Sequence, residues 1–206
     1  MAKKSMKLAL LASAVSLGLS SAAFAADAPE LVSGAGARML SETCAGCHGT
    51  DGASGGPAIP SLAGMNGEYF VELMQGYKAD EVYGTIMNRI AKGYSEEEIA
   101  LMATFFAGKK FAPAKQKFDE GAVRTGQKLH DKYCEKCHSE GGKILEDEEY
   151  YILAGQWTPY LKNAIADFME GRREMPKKMK KKLDKLIEKE GDKGLNALWA
   201  YYASEQ

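Results

Sequence analysis

Only three histidines and four cysteines occur in the 206 residues, so each can be weighed individually for metal or thiol chemistry. Neither sign of charge dominates, with 27 Lys and Arg against 28 Asp and Glu, which argues against a nucleic-acid grip. No apolar run reaches the roughly 20 residues that a membrane-spanning helix needs; the longest, LALLASAVSLGL from Leu8 to Leu19, falls well short. Strand-like alternation of apolar and polar residues is scarce. At 45% hydrophobic and 27% charged residues, the composition also excludes disordered, collagen-like and low-complexity classes.

What is present begins with a leader. MAKKSMK carries three lysines and no acid, the apolar run follows, and Ala23-Phe24-Ala25 supplies a small-residue cleavage pattern. Residues 1–25 read as a secretory signal peptide cut between Ala25 and Ala26. The mature chain, at formal charge −4 once Lys3, Lys4 and Lys7 are gone, is expected to be soluble and exported, most simply into a bacterial periplasm, with no stable membrane insertion. Four cysteines in an exported protein ordinarily mean two disulfides. Their spacing argues otherwise: all four fall in two strings, Cys44-Ala45-Gly46-Cys47-His48 and Cys134-Glu135-Lys136-Cys137-His138.

The strings lie 90 residues apart, and other matches keep the same order. Gly36 pairs with Gly126, Leu62-Ala63-Gly64 with Leu153-Ala154-Gly155, Tyr69 with Tyr160, and Phe105-Phe106-Ala107 with Tyr201-Tyr202-Ala203. Such drift-limited self-similarity marks a tandem duplication. The expected domains are 26–112 and 113–206, joined at KKFAPAKQK around Pro113. Helical patterns are predicted over 35–48, 95–107, 122–138 and 192–204, with Ser95 and Glu96 to Glu98 as N-cap and acidic first turn. The predicted fold is all-α, two similar small domains.

On a helical turn, residues i, i+3 and i+4 share a face, so both cysteines and the histidine of each string project together. Two thiols can then add to the vinyl groups of one haem while the imidazole reaches its iron, the signature of c-type attachment. A four-sulfur zinc site would leave the following histidines unexplained, and a thioredoxin-like pair would want a βαβ context. Two covalent haems are therefore expected, on Cys44 and Cys47 and on Cys134 and Cys137, with His48 and His138 as proximal iron ligands.

The sixth ligands must come from elsewhere. His130 lies four residues before Cys134, on the wrong side, and reads as a partly buried packing residue matching Leu40. Methionine remains. In the first copy Met87 lies beyond the Gly-Pro loop and before the last helix, whereas Met65 lies nearer the proximal side and Met74 has core spacing. In the second copy the repeat offset favours Met179, with Met175 as the alternative beside Pro176. Histidine–methionine ligation raises the potential and fills both axial positions, which points to electron transfer. Pro57 is expected to supply the carbonyl that orients His48; in the second copy the matching stretch is Gly142-Lys143-Ile144.

These features resemble class I cytochrome c domains in tandem. TIMNRIAKGYS, KLHDKYCEKCH, ILAGQWTPYL and the Arg172 to Met179 pattern are more specifically similar to the diheme cytochrome subunit of flavocytochrome c sulfide dehydrogenase. That resemblance implies a periplasmic complex in which an FAD-containing flavoprotein oxidises sulfide and passes electrons to this subunit, which hands them to a downstream acceptor such as a small cytochrome. It carries the family's ligands onto the residues named above, and departs at Ile144, where the family has proline. The rival is a free diheme cytochrome serving a terminal oxidase; a diheme peroxidase would need an openable haem and usually a longer chain.

Charge separates the copies. Residues 26–112 hold 6 basic and 11 acidic residues, residues 113–206 hold 18 and 17. The second copy concentrates its lysines between Arg172 and Lys189, where Met179, Leu183, Leu186 and Ile187 trace the buried stripe of a helix. The expectation is that the first domain lies nearer the flavoprotein and the basic helix steers an acidic acceptor.

Overall fold

A computed structural model describes residues 35–143 and 151–206, all within one compact unit. The leader at 1–25 and Ile144 lie outside the described residues. Among the described residues there are helices and turns and no strands. In the first half, α1 (Ala37–Glu42), α2 (Ala45–His48), α3 (Gly67–Lys78), α4 (Met87–Ala91) and α5 (Glu96–Ala107) follow one another. The second half has α6 (Glu120–Tyr133), a turn-like α7 (Ser139–Gly142), α8 (Thr158–Met169) and α9 (Lys177–Ser204).

Local chemistry explains most boundaries. Ser95 and Glu98 form a reciprocal capping box at the start of α5, whose first turn is acidic against the positive end of the helix dipole. Asn66 caps α3 by accepting from the Tyr69 N–H at 2.9 Å, and Asp119 caps α6 by accepting from Gly121. α9 is broken at Gly191, which adopts φ 57° and ψ −154°, so its last segment starts where the sequence placed it.

Two expected helices are shorter than predicted. The 35–48 stretch is split at Thr43, whose hydroxyl bonds back to the Leu40 carbonyl at 2.6 Å. The 122–138 stretch ends at Tyr133, because the His130 carbonyl takes the N–H groups of both Cys134 and Glu135 and the helical ladder stops.

The duplication is visible in the hydrogen bonds. Gly52 O accepts from Leu62 and Ala63 N–H, and Gly142 O accepts from Leu153 and Ala154. Gly64 N–H donates to Phe106 O, and Gly155 N–H to Tyr202 O. Gly52 and Gly142 sit at φ 80° and 79°, where a side chain is strained, so glycine holds the same bend in both copies.

Each half has its own core. The first gathers Leu40, Met65, Phe70, Met74, Met102 and Phe106, the second Leu129, Tyr133, Leu161, Leu186, Leu198 and Tyr202. Burying one such side chain is worth about 1.5–3 kcal/mol. α1 packs on α5 and α6 on α9, so first and last helices of each half cross and carry the CxxCH turn on their scaffold.

Candidate haem sites

Each CxxCH string forms one helical turn. His48 N–H donates to Cys44 O at 2.9 Å and His138 N–H to Cys134 O at 3.0 Å, with Cys47 and Cys137 closing the i+3 contacts. The second string reaches this geometry without lying inside a longer helix, since α6 has already ended. None of the four cysteines is joined in a disulfide, and Cys47 is exposed. Burial pushes the Cys44 and Cys134 thiols up, partly offset by hydrogen bonds from Thr43 and Tyr202.

His48 is 9% exposed, and its Nδ1 donates to the Pro60 carbonyl at 2.8 Å. Burial pushes the imidazole below its usual range, against the pull of that carbonyl, so the ring is neutral and Nε2 is left as a ligand atom. The carbonyl is not that of Pro57. Ser54 staples the loop: its hydroxyl donates to Ile59 O at 2.7 Å and accepts from the Gly56 N–H at 3.0 Å, and its own N–H donates to Ser61 Oγ at 3.2 Å. This closure turns Pro60 inward and leaves Pro57 exposed. In the second half the Gly142 carbonyl is taken by Leu153 and Ala154, so it matches Gly52 rather than Pro60.

Met87 opens α4, half-buried against the first core. Asn88, which sequence reasoning missed, anchors its loop: Oδ1 accepts from Gly84 N–H at 2.8 Å, while Nδ2 donates to Val82 O at 2.9 Å and Tyr77 O at 3.1 Å. Met65 and Met74 are buried in the first core. Met175 lies in the loop before α9 and Met179 in its first turn, both half-buried.

His130 is fully buried rather than partly. Its Nδ1 pairs with Tyr202 Oη at 2.9 Å and its Nε2 with Glu135 Oε2 at 2.7 Å, so neither nitrogen is spare for a metal. Desolvation works against ionisation of Glu135, but Gly141 N–H, His130 and Glu140 N–H outweigh it and hold the carboxyl below its usual range. Copy one solves the same position with Leu40, itself 6% exposed.

The halves also touch through side chains that no repeat pattern flags. Arg173 Nε donates to Tyr83 O at 2.8 Å and Nη2 to Tyr77 Oη at 3.0 Å. Trp157 Nε1 donates to Ser54 O at 3.0 Å, and Tyr151 packs between Tyr69 and Tyr160. Burial pushes the Tyr160 hydroxyl up to about 12, so it remains a neutral hydrogen-bonding group.

A haem fits these residues: two cysteines and one histidine share each turn, and among the described residues no three His, Cys, Asp or Glu side chains converge as an ion site. The family model described as Cytochrome c matches residues 33–108, and that described as Cytochrome C oxidase, cbb3-type, subunit III matches residues 121–189. The fold is like that of reduced recombinant cytochrome c4 from Pseudomonas stutzeri, with TM-score 0.66 and 24% identity over 84% of this chain and 100% of that one. Both halves are cytochrome c domains. The cytochrome thus carries two covalently attached c-type haems, which supply one-electron redox chemistry, and it is a diheme electron carrier. Among relatives, it is 29% identical to cytochrome c4 of Azotobacter vinelandii over 82% of this chain and 85% of that one. It is 47% identical to the cytochrome subunit of sulfide dehydrogenase of Chlorobaculum tepidum, over 33% of this chain and 61% of that one. No described helix is long and apolar enough to cross a membrane.

Proposed function

We propose that this cytochrome works in the periplasm, after removal of residues 1–25, taking electrons from an FAD-containing sulfide-oxidising flavoprotein and passing them to a downstream acceptor. The observation that supports the reading is the 47% identity to a sulfide dehydrogenase cytochrome subunit over 33% of this chain, against 29% to cytochrome c4 over 82% of it. In this reading domain 1 spans 26–112 and domain 2 spans 113–206. Haem 1 hangs from Cys44 and Cys47 with His48 and Met87 on its iron; haem 2 hangs from Cys134 and Cys137 with His138 and Met179, Met175 being the alternative. A free shuttle to a terminal oxidase is the second reading, favoured by the 82% coverage against cytochrome c4. Isolation from the native host, with flavin and haem quantified together, separates them. Flavin coeluting with haem in fixed ratio is expected; a flavin-free cytochrome that reduces an oxidase directly would replace the first reading with the second.

The basic helix belongs to the same proposal. Met179, Leu183 and Ile187 are half-buried and Leu186 is 1% exposed, while Lys177, Lys178, Lys180, Lys181, Lys182 and Lys185 are exposed. A solvated face of this density steers an acidic partner, over a Debye length of about 8 Å at physiological salt. Changing Lys180, Lys181 and Lys182 to glutamate should slow reduction of an acidic acceptor about tenfold at low salt. Reduction of the cytochrome by its donor should stay nearly constant in stopped-flow traces; slowing of that step instead would assign the helix to the donor.

A further inference from the structure

One peptide group in the first domain is hydrogen-bonded at both ends. The carbonyl of Pro60 accepts from His48 Nδ1 at 2.8 Å, and the N–H of the same peptide unit, on Ser61, donates to Gln156 Oε1 at 3.0 Å. Gln156 comes from the other domain, is fully buried, and donates back from Nε2 to Ser61 O at 3.2 Å. Its amide has one orientation. Oε1 also accepts from Trp157 N–H at 3.1 Å, and Nε2 also donates to Tyr151 Oη at 2.9 Å, so a flipped amide would face donor to donor and acceptor to acceptor.

The peptide C–N bond has partial double-bond character, so charge drawn at the N–H reappears on the carbonyl oxygen. In a buried chain of hydrogen bonds such polarisation strengthens the next bond. A stronger acceptor at Pro60 makes the His48 imidazole a better electron donor, which favours the oxidised iron. We propose that Gln156 is a positioning residue for the first haem: from the second domain, through the Pro60–Ser61 peptide, it sets the orientation and basicity of His48 and lowers the potential of haem 1. The inference rests on His48 being the axial ligand of that haem, as in the proposed function.

The device runs one way. Gln156 and Met65 occupy the same place in the two copies, each N–H bonded to the leucine carbonyl three residues back, Leu153 and Leu62. Met65 has no amide and is buried in its own core, so the first domain does not reach back in kind. Trp157 supplies a natural control: it holds the same loop through Ser54 O, and its ring lies so close to Gly56 that a Cβ there would fall 2.4 Å from it, yet it bonds to a different peptide.

The test uses the full diheme protein in spectroelectrochemical titration, with haem 1 identified by the hyperfine-shifted ring protons of His48. Gln156→Met, which installs the residue of the other copy, should raise the haem 1 potential. The reduced-to-oxidised ratio at the wild-type midpoint should increase about threefold, which is about 28 mV where tenfold is 59 mV. Haem 2 should not move, and exchange of the His48 Nδ1–H should quicken. Trp157→Phe should leave the haem 1 potential in place. An unchanged potential in Gln156→Met, an equal shift of haem 2, or an equal shift in Trp157→Phe would each overturn the relay. In the wild-type protein the Ser61 amide should belong to the slowest-exchanging class; a fast-exchanging Ser61 amide overturns the relay without any variant. Absence of the His48 ring signals would overturn the ligand assignment and the relay together, whereas their presence beside an unchanged potential overturns the relay alone.

Discussion

Met87→Ala should abolish the methionine–iron charge-transfer absorption of one haem, lower that haem's potential by about 0.1–0.2 V within the roughly 0.8 V range that axial ligands span, and admit small ligands. The thioether favours ferrous iron, and its loss leaves the oxidised state relatively more stable. The surrounding loop offers no soft replacement, and Asn88 holds it in shape through Gly84, Val82 and Tyr77 whether or not the thioether is there. The effect should therefore be confined to one iron and leave the fold intact. In the second domain Met179→Ala is expected to do the same to the other haem, removing the remaining half of the band. If the band kept its intensity in Met179→Ala and halved in Met175→Ala, the distal ligand of haem 2 would be Met175. The loop position of Met175 beside Pro176 and the first-turn position of Met179 make the two variants separable by this one spectrum.

Gly126→Ala should destabilise the second domain by about 3 kcal/mol, at the upper end of ordinary overpacking. Gly126 is where α6 meets α9. A Cβ there would lie 2.0 Å from Ala197 O, 2.6 Å from Ala197 C and 2.7 Å from Tyr201 Cβ. Two of these are backbone atoms, so no rotamer change relieves the contact and the helices must separate. Against this, alanine improves α6 as an isolated helix by about 1 kcal/mol. The crossing contact wins because it also carries Leu129 and Tyr133 onto Leu198 and Tyr202. Thermal unfolding read by the haem 2 absorption should show a clearly lowered midpoint; a midpoint equal to wild type would mean that the two helices can part at little cost.

Signals that act over a few residues or through regular spacing were legible beforehand. The CxxCH turns depend on i, i+3 and i+4 geometry, so the sequence alone placed both thiols and the imidazole on one face, and both strings adopt that turn. The repeat register survives as paired hydrogen bonds, Leu62 on Gly52 and Leu153 on Gly142, since a duplicated backbone bend needs the same glycine. The Ser95 cap likewise follows from a four-residue pattern.

Partner choice between distant segments was not written in any such period. Pro60 rather than Pro57 faces His48 because Ser54 closes the loop from within. His130 is neither a ligand nor merely packed, because Tyr202, 72 residues away, and Glu135 occupy its two nitrogens. Gln156 reaches Ser61 across 95 residues and Arg173 reaches Tyr77 across 96. The sequence by itself determined two helical copies, each with a CxxCH turn that puts two cysteines and a histidine on one face, because those rest on local backbone geometry. Only the tertiary structure decided which carbonyl, amide and guanidinium meet which partner, because a buried polar group bonds to whatever the packing of remote segments places within about 3 Å of it.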